Sequence, residues 1–305
     1  MNDRSIRYLT HKEIDKAKWD RCIDTAGNGL VYGYSFYLDH MACNWDALVL
    51  NDYKAVMPLT WNRKIGIRYL YQPFLAAQLG VFGQHIHGEL VDRFIHAIPS
   101  SFRLVEISLN SANHPGSSKR SYRQRSNYVL SLNRPYEALY GNYNENTRRN
   151  IKKAFQSGCK AEKTFDAEKV IKLAEAQMKI YDKQSANNVD RFRKLCHYLH
   201  EKNMATTYGI SLNNELLASC VFFFSHKRAY YILVGNHPGG RTLGASHALV
   251  DTFIKDHADT NLLLDFEGSD LRNLASFYSS FGAVHETYPA LRINRLPFYL
   301  RWMKR

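Results

Sequence analysis

Apolar positions along the chain switch between alternating and three-to-four spacings, and the switches divide it into elements. Ser5 to Leu9 reads as a strand. A helix then begins at Thr10, where Glu13 completes a capping box and Trp19, Cys22 and Ile23 share an inner face. Tyr32 to Met41 reads as an aromatic-rich helix, and Asp46 to Leu50 and Lys54 to Trp61 as strands joined at Asn51 and Asp52. Arg63 to Gly66 is a basic loop, followed by an aromatic, largely uncharged run, RYLYQPFLAAQLGVF, expected to pack into a core, with the lining of a substrate groove as the alternative. Glu89 to Ile98 predicts a helix, Arg103 to Leu109 a strand, Asn113 to Ser118 a surface loop and Asn127 to Leu132 a strand.

In the centre, YNENTRRNIKKAFQSGC, Asn144 or Asn146 can cap a helix with Ile151, Ala154 and Phe155 as its buried stripe and Ser157-Gly158 as its end. Ala167 to Tyr181 and Val189 to Lys202 are two further helices separated by the polar loop DKQSANNVD. Strands follow at Ala205 to Leu212, Glu215 to Ser225 and Arg228 to Val234, the first two joined at Asn213-Asn214. The loop GNHPGGRTLG then leads into a helix over Ala245 to His257.

Leu262 to Ala283 is the densest stretch. Leu262 to Leu264 suits a short strand covered on both faces, and Asp265 and Glu267 follow where it leaves the sheet. On a strand, residues two apart share a face, so each of these acids disfavours ionisation of the other. Gly268 to Asp270 reads as a turn, with Ser269 or Asp270 as helix cap. The next helix presents Leu271, Leu274, Phe277, Tyr278 and Phe281 on one apolar face and ends at Gly282. Val284 to Asn294 is a last strand, and the tail RLPFYLRWMKR is expected to pack back onto the body, with contact to a membrane surface as the alternative.

Composition narrows the class. At 305 residues a length prior gives about two domains, and 20 Tyr with 16 Phe exclude a disordered chain. The formal charge of +13 implies anionic partners: phosphates, coenzyme A, nucleic acid or a lipid surface. From Lys119 to Lys160 ten basic residues face two acidic ones, a net of +8, so much of the excess falls mid-chain. There Arg148/Lys152 and Arg149/Lys153 are like-charge pairs at i,i+4, each unfavourable in isolation by a few tenths of a kcal/mol, which marks them as candidate ligand contacts. The five cysteines include no CxxC pair and the thirteen histidines no HExxH spacing, so neither disulfide framework nor metal site is expected. The charged N-terminus and the lack of an apolar run near about 18 residues predict a soluble, cytoplasmic protein.

Three segments carry a resemblance. Arg241-Thr-Leu-Gly244-Ala245-Ser246 resembles the acyl-coenzyme A signature of the GCN5-related N-acetyltransferases (GNAT), [Q/R]-x-x-G-x-[G/A], with Ser246 in the last position. Small residues there let amides at a helix N-terminus close on a pyrophosphate. LASFYSSFGA, ending at Ala283, is similar to that superfamily's A-x-x-L-Y-x-x-x-G-F segment. NTRRNIKKAFQSG, from Asn146, resembles the RRNIRKA…G segment of the Fem-type peptidyltransferases and BioF2-like acetyltransferase domains, as does DFEGS at 265–269.

The resemblance implies an α+β fold of two GNAT-like domains in tandem, with mixed, mostly antiparallel sheets flanked by helices. A degenerate first domain would span 1–135 and a second, with the donor site, 136–305. It further implies transfer of an acyl group from acetyl- or another acyl-coenzyme A to an amine bound between the domains, a small molecule or one like a peptidoglycan precursor. Tyr278 would protonate the leaving thiolate. Asp265 and Glu267 are candidate bases for the amine, and the backbone at Val234, Gly235 and Asn236 a candidate oxyanion donor. Arg241, Gly244, Ala245 and Ser246 would hold the donor, and Arg148, Arg149, Lys152 and Lys153 a substrate. A Fem-type reaction with aminoacyl-tRNA, and a non-catalytic binding protein on a decayed transferase fold, are the alternatives. Tyr278, where Fem-type enzymes commonly carry lysine, favours coenzyme A.

Overall fold

The computed structural model describes residues 5–116, 122–164, 166–181, 186–268 and 270–298. The expected cap at Ser269, parts of the loops expected at 113–118 and 182–190, and the tail beyond residue 298 lie outside the described residues.

Elements follow in chain order as β1 (Ile6–Leu9), α1 (Lys16–Thr25), α2 (Ser35–Met41), β2 (Asn44–Leu50), β3 (Ala55–Lys64), β4 (Ile67–Leu70) and β5 (Phe82–Gly83). Next come α3 (Gly88–His96), β6 (Phe102–Ser108), β7 (Tyr122–Ser131), α4 (Tyr136–Gly141), α5 (Glu145–Gln156), β8 (Lys160–Lys163), α6 (Ala167–Tyr181) and α7 (Ala186–Glu201). The chain continues with β9 (Ala205–Leu212), β10 (Glu215–Ser225), β11 (Arg228–Asn236), α8 (Pro238–Leu243), α9 (Ala245–His257), β12 (Leu263–Asp265), α10 (Arg272–Ser279) and β13 (Val284–Asn294). They form two compact units, residues 1–125 with 287–305, and residues 126–286.

In the first unit the strand order is β1-β2-β3-β4-β6-β13. Neighbours are antiparallel except β4 and β6, which run parallel. Leu90, Val91, Phe94 and Ile95 of α3 cover one face, over Leu48, Met57, Leu59 and Val105. Beyond Leu70 the chain stays beside β6: Leu79 forms a parallel bridge with Leu109, and its N–H donates to Ser108 O at 2.9 Å. Side-chain amides fix this irregular segment. Gln72 Oε1 accepts from Ser108 N at 2.9 Å and Asn113 Oδ1 from Val81 N at 2.7 Å. Gly80 has a φ of +95°, and a Cβ there would stand 2.3 Å from Asn113 Oδ1. Leu70, Ala76, Leu79, Val81 and Phe82 of this run are buried in the core, while Tyr69, Tyr71 and Phe74 are half-buried.

The second unit repeats the order as β8-β9-β10-β11-β12-β7, again antiparallel except for the parallel β11–β12 pair. Alternation along β10 separates its two faces. Phe222 stacks on Phe253 of α9 at 3.8 Å, while Phe223 stacks on Phe192 of α7 at 5.6 Å. Residues of α4, α5, α9 and α10 share the first face's core. The first unit takes its sixth strand, β13 from Thr287 on, from beyond the second unit's sequence, whereas the second unit is one continuous run, 126–286, that includes its own sixth strand, β7, from Ser126 on.

Several local expectations change. The α5 cap is Asn144, whose side chain accepts from Thr147 N at 2.7 Å, but Phe155 is exposed and Thr147 takes the buried place in the stripe. On α10, Leu271 and Leu274 face outward at 67% and 41% exposure, so the buried face is Tyr278 and Phe281 with Phe277 beside them. The N-cap position of α10 is Leu271, and Asp270 Oδ1 accepts from Ser126 N at 3.1 Å. The glycine-rich loop expected at 235–244 contains α8, which starts at Pro238 behind a His237 cap.

Candidate active site

The second unit's parallel pair parts early. Their last paired residues are Tyr230 and Asp265; β11 continues to Asn236 while the chain after Asp265 turns away, Phe266 N donating to Tyr128 O at 3.0 Å. Among the described residues no strand pairs with this stretch of β11 on the side where β12 left it. Opposite β10 the register slips: Val221 faces Leu233 and Phe222 faces Tyr231, so Ile232 is the extra residue of a bulge. Asn236 N–H is turned away from β10, donating to Gln177 Oε1 at 3.1 Å. By the two-residue alternation of a strand, the Val234 N–H shares that direction and looks into the gap.

Tyr278 lines the same region from α10. Its ring stacks on Phe266 at 4.7 Å and lies 6.4 Å from Tyr231, with 6% of the residue exposed. Burial pushes its hydroxyl well above the ordinary tyrosine range, and the nearby Cys220 and Glu267 add to the effect. Cys220, fully buried on β10, is itself pushed up by burial, and amides of Leu233 and Ile232 are directed at its sulfur.

The two acids of this stretch have separate surroundings. Asp265 is buried, pairs with Arg228 Nη1, and accepts from Glu267 N at 2.9 Å. Burial works against the Arg228 charge, and Asp265, Tyr230 and Glu286, the last at 3.8 Å, together outweigh it. The strand ends at Asp265, and Glu267 takes a φ of +65° followed by Gly268 at +74°. The two carboxylates therefore do not share a strand face. A left-handed non-glycine residue costs roughly 1–3 kcal/mol, and Glu267 is one of several such positions in the chain, whereas Asp265 ends a regular strand.

The acyl-coenzyme A-like segment is divided by Gly244. Arg241 to Leu243 close α8, Gly244 sits at a φ of +78°, and Ala245 and Ser246 open the 13-residue α9. A Cβ on Gly244 would stand 2.5 Å from Asn150 O, so glycine is required both by conformation and by the approach of α5. Ser246 Oγ donates to Asn236 Oδ1 at 2.7 Å and ties this first turn to the end of β11. Arg241 is exposed, as are Arg148, Arg149, Lys152 and Lys153 on α5. The positive end of α9, an exposed arginine and a glycine without side-chain bulk fit a pyrophosphate. Tyr278 thus lies beside Phe266 and Glu267 just past the end of β12, Val234 packs against the same core, Arg241 to Ser246 form the junction beyond the end of β11, and the four α5 cations stand on the helix packed against that junction.

Sequence reasoning missed His247 and Asp251, both on α9. Asp251 is buried and accepts from Tyr136 Oη at 3.0 Å, joining α4 to α9. His247 meets Phe277 edge-on at 4.9 Å, with Phe281 at 5.9 Å, and burial pushes its imidazole down to about 4. The ring is neutral in the fold, whereas an unfolded histidine protonates near ~6.5. Stability is therefore whole above that pH and falls as pH drops towards 4. His247→Phe is expected to flatten this fall in urea midpoints compared at pH ~7 and ~5, with His257, also lowered chiefly by burial, keeping a remainder.

Residues 141–273 match the family described as Acetyltransferase (GNAT) domain. No curated protein sequence matches the chain. Among solved structures it is similar to FemX, with a TM-score of 0.63 at 12% identity over 93% of this chain and 96% of that one. A tandem GNAT protein from the clavulanic acid biosynthesis pathway gives 0.53 at 9% identity over 96% and 99%. The L-PGS of Bacillus licheniformis gives 0.53 at 11% over 95% of each chain. At such identities the likeness is one of fold. Among the described residues no group of three or more His, Cys, Asp or Glu is placed to hold a metal ion, and no helix is long and apolar enough to cross a membrane.

Proposed function

From a chain with a tandem GNAT, Fem-like fold, of which residues 141–273 match the acetyltransferase domain, we propose that the protein transfers an acyl group from acyl-coenzyme A to an amine, with the donor held by the second unit. The observation that carries this is the contrast between the two parallel pairs. In the first unit the chain from Gln72 to Leu79 fills in beside β6 and Phe82–Gly83 pairs with β3, secured by the side-chain amides of Gln72 and Asn113. In the second, β11 runs on past Asp265 with no strand on that side among the described residues, and Tyr278 stacks on Phe266, just past the end of β12, and lies beside Tyr231 of β11. The first unit is accordingly the degenerate copy.

The first turn of α9 and Arg241 hold the pyrophosphate, and the α5 cations hold further phosphate. The donor supplies a thioester, whose carbonyl carbon the neutral amine attacks. Val234 N–H donates to the oxyanion that forms. Glu267 takes the proton of the attacking amine, directly or through one water. Tyr278 gives its proton to the leaving sulfur and recovers one from solvent. Asp265 holds Arg228 and the strand end. The amine is a small molecule or a precursor-like peptide.

The four exposed cations on α5 support a second reading, an aminoacyl-tRNA donor, because phosphate contacts dominate RNA affinity. Calorimetric titration with acetyl-coenzyme A at two salt concentrations separates them. Micromolar-to-millimolar binding that weakens with salt is expected. No heat at either concentration removes the coenzyme reading, and a gel shift with bulk aminoacylated tRNA then tests the other.

A further inference from the structure

The first unit carries a feature that acyl transfer does not use. Its β3–β4 hairpin pairs Lys64 with Ile67, leaving a two-residue turn of Ile65 and Gly66. Both take positive φ, +48° and +76°. Turns of this kind favour Asn-Gly, and a β-branched residue at positive φ is an outlier. Ile65 is also 79% exposed. An isoleucine that is both strained and solvated contributes nothing visible to the fold.

Topology gathers charge at the same end of the sheet. Arg63 and Lys64 end β3, and Arg68, the second residue of β4, lies opposite Phe102, beside Arg103 at the start of the parallel β6. The antiparallel β13 ends there too, Arg295 N donating to Arg103 O at 2.7 Å. Arg68 is engaged with Asp46 at 3.0 Å, and Arg295 Nη1 donates to Pro99 O at 3.1 Å; Arg63, Lys64 and Arg103 are exposed. Three residues beyond Arg295 stands Phe298, 83% exposed.

We propose that this end of the first unit's sheet docks on an anionic lipid bilayer, with Ile65 and Phe298 as its apolar anchors. Fully burying an isoleucine or phenylalanine is worth about ten- to a hundredfold in partition. Cations around the anchors add attraction to acidic headgroups that salt weakens. A protein pocket would have to desolvate those cations, whereas an anionic surface supplies their counter-charge. Two anchors with a basic rim give reversible surface binding, without a membrane-spanning helix.

Flotation of the full chain with vesicles tests this, using phosphatidylcholine alone and phosphatidylcholine mixed with phosphatidylglycerol. The protein is expected to float with the mixed vesicles at low salt and to be released at high salt. Ile65→Asn lowers the partition coefficient by about tenfold or more while its melting temperature stays level or rises, since asparagine suits the turn. That opposition separates an anchor from a fold residue. Phe298→Ser lowers partition similarly, and Arg63→Glu with Lys64→Glu removes the preference for phosphatidylglycerol. The proposal is overturned if the parent protein stays unbound at low salt, including the case where the hairpin engages a protein instead. It is overturned equally if Ile65→Asn and Phe298→Ser partition like the parent.

Discussion

Tyr278→Phe is expected to lower the rate of acyl transfer by about 10²–10⁴-fold, the usual worth of a positioned general acid, while fold and donor affinity stay as they were. The ring does the packing: it stacks on Phe266 at 4.7 Å and lies in the aromatic cluster with Tyr231 and Phe281, contacts that phenylalanine keeps. Only the hydroxyl is lost. Burial holds that hydroxyl protonated, at some cost in acid strength. A thiol leaving group, with an ordinary pKa of ~8.5, therefore takes the proton as the carbon–sulfur bond breaks and not before. Thiol release from acetyl-coenzyme A with a panel of primary amines reads the rate, calorimetry the donor affinity and a thermal melt the fold. An unchanged rate would mean that Tyr278 only packs.

Much of this site was legible because its signals are local. A strand of alternating residues, a glycine at a helix junction and a tyrosine four residues before a helix-ending glycine are short-range patterns, and β9, β10, α9 and β13 begin and end where those patterns place them. What the sequence hid depends on distant partners. β8, Lys-Ala-Glu-Lys, has no apolar alternation because it is an edge strand, the position where charge protects against stray pairing. The apolar spacing of α10 describes a stripe but not which part is covered, and Leu271 and Leu274 remain outside. Glycine and proline at 238–240 suggest a loop, yet proline suits the first helical position and Gly240 lets α8 approach β10, a Cβ there standing 2.5 Å from Leu217 O. The place of β13 in the first unit's sheet rests on pairings such as Ala290 with Ser108, which no local window can contain.

The two acids near residue 265 are the clearest case, because sequence spacing treats them alike and the structure does not. Asp265→Asn is expected to be a stability variant. It leaves the Arg228 guanidinium, largely buried, without its main counter-charge, and breaking one partner of a buried pair costs about 3–5 kcal/mol. For a unit of this size each kcal/mol moves the melting temperature by roughly 2–4 °C, so a fall of about 6–20 °C is expected in a thermal melt. Arg228→Met in the Asp265→Asn background removes both charges and is expected to recover part of the loss, since a buried pair replaced as a whole is often neutral. Glu267→Gln makes the converse variant: its carboxylate lies on a strained turn beside Tyr278, so turnover should fall with little change in melting. Were Asp265 the base, its amide would melt like the parent and lose turnover, and the double variant would restore no stability. The pair of melts and the pair of rates thus assign the structural acid and the chemical one independently.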